Sequence, residues 1–107
     1  MTTTPDAVQG PWNPLMPGFG EMTRDVLFGD IWERPGLSKR DRSLITVAAL
    51  TVLYRSDQLR GHLRRAIENG VTQEEIAEVI QHLAFYGGWP VSVNAYTVAN
   101  EALGLDK

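Results

Sequence analysis

The chain of 107 residues contains no cysteine, and that absence excludes a whole range of chemistry. Without thiols there is no disulfide framework, no thiolate nucleophile, no redox dithiol and no sulfur-ligated metal. Histidine is scarce too: His62 and His82 are the two imidazoles, and they lack the paired spacing of a zinc site, so no metal is expected. Positive charge is not in excess. Thirteen acidic residues face ten basic ones, for a formal net charge of -3, which leaves no basic stripe for nucleic acid. No apolar run reaches membrane-spanning length, and Met1 to Gln9 lack the basic-then-apolar layout of a signal peptide. These absences predict a cytoplasmic protein with neither nucleic-acid nor membrane partners. Lysine is rare among the cations, eight of the ten being arginine, and the fixed guanidinium fork suits carboxylate recognition.

What is present reads as helix. Residues 1–17 hold Pro5, Pro11, Pro14 and Pro17 with Gly10, Trp12 and Asn13, which describes an extended arm, and residues 18–107 read as one helical domain. A first helix is expected from about Phe19 to Trp32, with Phe19, Met22, Val26 and Leu27 on one side, ended by Pro35-Gly36. Ser38 with Asp41 then marks the start of a second helix. From Leu44 to Tyr54 that helix shows no polar face, so it must be covered all round, and self-association is the natural cover. Thr72, Glu75 and the pair Val71 and Ile76 form a near-complete start signal for a fourth helix, whose buried stripe is read as Ile76, Val79, Ile80 and Leu83. Phe85 falls on the opposite side. Gly87-Gly88-Trp89-Pro90 breaks the chain, and Pro90 opens a last helix that ends at Gly104.

Between these lies the segment Arg55-Ser-Asp-Gln-Leu-Arg-Gly-His62. Leu59, Leu63, Ala66 and Ile67 recur with helical spacing up to the stop at Asn69-Gly70, and His62 falls on their buried stripe, with Gln58 one turn before it. An imidazole there is either a core group satisfied by a backbone carbonyl or a proton-transfer group that titrates near neutrality.

Several runs in order carry a resemblance: Phe28-Gly-Asp-Ile-Trp-Glu-Arg-Pro-Gly-Leu37, Arg42-Ser-Leu-Ile-Thr46, Leu59-Arg60 with His62, Asn69-Gly-Val71 with Glu75-Ile76, and Tyr86-Gly-Gly-Trp-Pro90 with Asn94. Over residues 20 to 104 they resemble the carboxymuconolactone decarboxylase family. The resemblance implies an all-α, alkylhydroperoxidase D-like domain of five to six helices that assembles as trimers or hexamers. Redox members of that family use a Cys-x-x-Cys pair ahead of the histidine, and here Arg55 and Gln58 stand at those two positions, so thiol peroxidase chemistry is excluded. Decarboxylase members carry a run of acids before the histidine, where this chain has Ser56 and Gln58.

For a decarboxylase the family reaction takes carbon dioxide from a small carboxylated γ-lactone of aromatic catabolism. The lactone is its own electron sink, so no cofactor is implied. Carried over residue by residue, the resemblance implies His62 as proton donor, with Arg55 acting beside it. Arg42, Gln58, Tyr86 and Trp89 would bind the substrate. A non-catalytic oligomeric binding or scaffold protein, and a lactone isomerase or tailoring enzyme on the same residues, remain the alternatives.

Overall fold

A computed structural model of the chain describes residues 14–105, and among them every regular element is helical. The larger part of the expected arm, residues 1–13, lies outside the described residues. Two compact units divide between Ser38 and Lys39.

In the first unit Pro17 opens α1 (Pro17–Met22), which passes directly into a wide π turn (Thr23–Phe28) and then a tight 3-10 turn (Ile31–Glu33). The single helix expected over Phe19 to Trp32 is therefore broken, for local reasons. Thr23 Oγ1 donates to the Phe19 carbonyl at 2.8 Å, competing with the regular ladder. The chain also folds so tightly at Gly29 that a Cβ would stand 2.8 Å from the carbonyl oxygens of both Arg24 and Asp25. Phe28 and Trp32 are buried, with ring centroids 5.9 Å apart. Phe19, Met22, Val26 and Leu27 remain exposed.

The second unit is a bundle of α2 (Lys39–Val52), α3 (Ser56–Glu68), α4 (Gln73–Gly87) and α5 (Trp89–Ala102). Helices α2 and α5 each pack on both α3 and α4. Their shared core comprises Val47, Leu59, Leu63, Ala66, Val71, Ile76, Ile80, Ala95, Val98 and Ala99. Helices α3, α4 and α5 contribute residues three or four apart, the spacing of one buried face, and α2 contributes Val47. On α2 the buried residues are Ser43, Val47 and Thr51, while Ile45 and, just past the helix end, Leu53 stand 57% and 56% exposed in the single chain. The apolar surface that the sequence left without a polar face is thus open on one side.

Helix α4 starts as its sequence predicts. Thr72 Oγ1 accepts from the Glu75 amide at 3.1 Å, and the Glu75 carboxylate accepts from the Thr72 amide at 3.0 Å, closing a reciprocal capping box. Glu75 also receives Arg40 from α2. The buried face differs slightly from expectation: Ile76 and Ile80 are deep, Ala84 joins them, and Val79 and Leu83 are half-buried. A single residue, Gly88, joins α4 to α5 with φ 104° and ψ 149°, a backbone conformation essentially confined to glycine. Just before it, the side chain of Val52 packs where a Cβ on Gly87 would be, 3.0 Å from Cγ2, so this elbow presses on the last turn of α2.

Candidate active site

The α2–α3 junction is built by backbone hydrogen bonds. The Tyr54 amide donates to the Thr51 carbonyl at 3.2 Å and the Arg55 amide to the Leu50 carbonyl at 2.9 Å, which holds Tyr54 at φ 65°. Arg55 then stands at the entry to α3 and donates through Nη1 to the Leu53 carbonyl at 3.1 Å. Ser56 begins the helix, and its hydroxyl accepts from Asn94 Nδ2 on α5 at 2.9 Å. Sequence reasoning placed Asn94 in the family pattern without a role; the structure shows it fastening the start of α3 to α5. No local signal reveals that pairing, because it joins residues on different helices.

Along α3, Arg55, Gln58 and His62 follow one another at one-turn intervals, the outer two about 10 Å apart along the axis by helical rise. Arg55 and Gln58 are exposed; His62 is half-buried with Nδ1 enclosed. Burial pushes the His62 imidazole down from 6.5 to about 4, and the neighbouring positive charge of Arg65 adds to the effect. This corrects the expectation of an imidazole titrating near neutrality: on its own the chain holds His62 neutral at pH 7.

The remaining predicted residues fall into two groups. Tyr86 and Trp89 flank the α4–α5 elbow and are 77% and 62% exposed, free to face a ligand or another surface. His82 stacks on Tyr86 at 4.9 Å, and Phe85 meets Trp89 edge-on at 5.4 Å. The contact between Val52 and Gly87 brings this elbow to the end of α2, one short turn from Arg55. Arg42 does not join them. It lies in the first turn of α2, where its neighbour Ser43 accepts from Asn69 Nδ2 at the far end of α3 at 3.0 Å. About 15 Å of helix separates Arg42 from Val52. Arg60, retained in the family pattern, is occupied structurally, bonded to Glu101 on α5 at 2.9 Å and reaching Asp57 at 3.4 Å.

A second feature went unread in the sequence, a groove of about 510 Å³ between α4 and α5. Ile76, Ile80, Ala84, Val93 and Tyr96 give it an apolar lining, and Trp89 forms part of its wall. Neither His62 nor any arginine reaches it, so it offers no charge to a carboxylate. It is invisible in sequence because it arises from the spacing of two helices. Among the described residues no cluster of His, Asp and Glu is arranged to hold a metal ion, and no helix is long and apolar enough to cross a membrane.

The chain is similar to several known proteins. The chain is 47% identical over 74 residues to 4-carboxymuconolactone decarboxylase of Acinetobacter baylyi, a match spanning 69% of this chain and 55% of that protein. It is 36% identical over 83 residues to nitrosuccinic acid decarboxylase of Metarhizium robertsii, spanning 78% of this chain and 58% of the relative. An uncharacterised 15.0 kDa protein of Paracoccus denitrificans is 34% identical over 87 residues, spanning 79% of this chain and 65% of its own. The chain thus matches between about half and two thirds of the length of these curated relatives. Residues 17–101, from the start of α1 to the last turn of α5, match one family throughout: the chain belongs to the carboxymuconolactone decarboxylase family.

Proposed function

We propose that this chain is a cofactor-independent carboxy-lyase acting on a small acid that carries its own electron sink, with a 4-carboxymuconolactone-like γ-lactone of aromatic catabolism as substrate. The observation that carries the reading is the 47% identity to a decarboxylase named for that lactone. The second relative is named for nitrosuccinic acid, whose nitro group is also an electron sink. In both acids the carbanion left by carbon dioxide can be delocalised within the substrate.

The residues at α3 suit this chemistry. Arg55, exposed and always charged, binds a carboxylate through its fork, while Gln58 orients the lactone carbonyl. His62 starts neutral. A dianion bound between Arg55 and His62 counters the field of Arg65 and draws a proton onto the imidazole. The carbon–carboxylate bond then breaks, its electron pair passes through the ring alkene to the lactone oxygen, and carbon dioxide departs. Protonated His62 returns a proton to carbon as the charge flows back from the oxygen. Tyr86 and Trp89 wall the site from the elbow. Arg42 clamps the second carboxylate only if the substrate bridges much of the length of α2, or if Arg42 comes from another copy of the chain.

Self-association into a trimer or hexamer belongs to the same reading. The open apolar side of α2 and the α4–α5 groove support it, since exposed apolar area of this kind marks an interaction surface. The test is direct: incubate the purified protein with 4-carboxymuconolactone and follow carbon dioxide release or loss of ultraviolet absorbance. Turnover that falls about 100- to 10,000-fold in His62→Ala is expected; no turnover by the wild type, or full turnover by His62→Ala, overturns it.

A further inference from the structure

Three helices of the second unit end in one and the same way. In each, the amide two residues past the helix cap bonds back to the carbonyl of the third-last helical residue, and the amide before it bonds to the second-last. For α3 these bonds are Val71 to Ala66 at 2.9 Å and Gly70 to Ile67 at 3.1 Å; for α5 they are Leu105 to Asn100 at 2.9 Å and Gly104 to Glu101 at 3.4 Å. For α2 they are Arg55 to Leu50 at 2.9 Å and Tyr54 to Thr51 at 3.2 Å. This closure forces its middle residue into the left-handed region, which favours glycine because a Cβ crowds the following carbonyl. The chain obeys that rule twice, with Gly70 at φ 98° and Gly104 at φ 69°. At the third place, immediately before Arg55, it puts a tyrosine at φ 65°, alone among the described residues other than glycine in having positive φ.

A bulky residue in that conformation is strained, and strained residues cluster at active sites and ligand clamps. Burial does not account for it, because Tyr54 is 54% exposed. Its position is distinctive instead: it is joined to Arg55, at the end of α2 where the elbow bearing Tyr86 and Trp89 presses on Val52. We propose that Tyr54 is a substrate-contacting residue that sets specificity at the α3 site, its phenol hydroxyl donating to a substrate carboxylate held by Arg55 and its ring covering that end of the bound acid. This assignment rests on the decarboxylase reading.

The test compares the purified full chain with Tyr54→Gly and Tyr54→Phe, measuring Tm, kcat and KM on 4-carboxymuconolactone, and assembly mass. Tyr54→Gly relieves the strain, so its Tm rises by about 4 °C, while kcat/KM falls at least about tenfold, mainly through KM. Tyr54→Phe keeps the wild-type Tm and loses about tenfold in kcat/KM, the equivalent of one hydrogen bond to a charged group. A purely structural tyrosine gives the opposite sign, a lower Tm in Tyr54→Gly. That result, a kcat/KM within twofold of wild type in either variant, or a changed assembly mass in Tyr54→Gly overturns the assignment. If the wild type turns over and the variants match it, Tyr54 alone is misassigned; if the wild type neither binds nor turns over the lactone, the functional reading falls and this one with it.

Discussion

The strip along α3 and the groove between α4 and α5 lie in one small bundle, yet they differ in kind. The strip presents a cation, an amide and a desolvated imidazole, with the first turn of its helix fastened to α5 through Ser56 and Asn94. The groove carries no charged side chain and is lined mainly by aliphatic and aromatic groups from two helices. For the dianionic acid proposed as substrate, chemistry favours the strip, since such an acid gains nothing from an apolar wall and much from a guanidinium. On the proposed reading the groove serves assembly, and the reaction takes place at the strip, where the charged and titratable side chains stand.

The contrast can be broken experimentally. The largest expected effect is on α3, where His62→Ala costs about 100- to 10,000-fold in kcat/KM with the assembly intact. Next is the groove: Tyr96→Asp places a charge on its apolar wall and is expected to raise the subunit dissociation constant at least about 100-fold. Sedimentation or size-exclusion measures that change, and unchanged mass with lost turnover would instead make the groove the substrate site.

The third test separates His62 from its surroundings by pH. Its ordinary value of 6.5 falls to about 4 in the folded chain, so the unfolded chain takes up a proton first as the medium is acidified. The stability that His62 contributes is full above pH 6.5 and is lost as pH falls towards 4. Allowing for partial exposure, the loss is about 2 kcal/mol, and His62→Gln removes that part of the slope in denaturant titrations across the window. The smallest effect is expected at Thr51, whose hydroxyl is fully buried without a hydrogen-bond partner. Thr51→Val removes an unsatisfied group at nearly constant volume and should stabilise by up to about 1 kcal/mol, with turnover unchanged if Thr51 serves only the fold.

Much of the fold could be read in advance, and the reasons are local. Thr72 and Glu75 close the predicted capping box, Gly70 stops α3, and Pro90 lies in the first turn of α5, because each acts through bonds to residues within one turn. The failures lie where distant groups decide. The break after Met22 depends on carbonyls folding over Gly29, and no periodicity records that. Ala84 is buried beside the groove between α4 and α5, although alanine is only weakly apolar. Tyr54 disguises a helix end that glycine would have announced. At the site, spacing alone put Gln58 one turn before His62 on α3, and the family resemblance added Arg55 at the helix entry. The state of the imidazole was not legible, since it depends on how completely the neighbouring helices desolvate it.

The one-residue elbow at Gly88 constrains the chain in a further way. With α4 and α5 in direct succession there is no slack in which an added or lost residue can be absorbed. One extra residue would rotate α5 by about 100° and carry Asn94 away from Ser56, turning the groove wall and loosening the start of α3 together. Sequence drift in this lineage is therefore expected to proceed by substitution around the elbow and not by changes in its length, which makes the spacing from Thr72 to Asn94 a ruler for recognising chains that share this site.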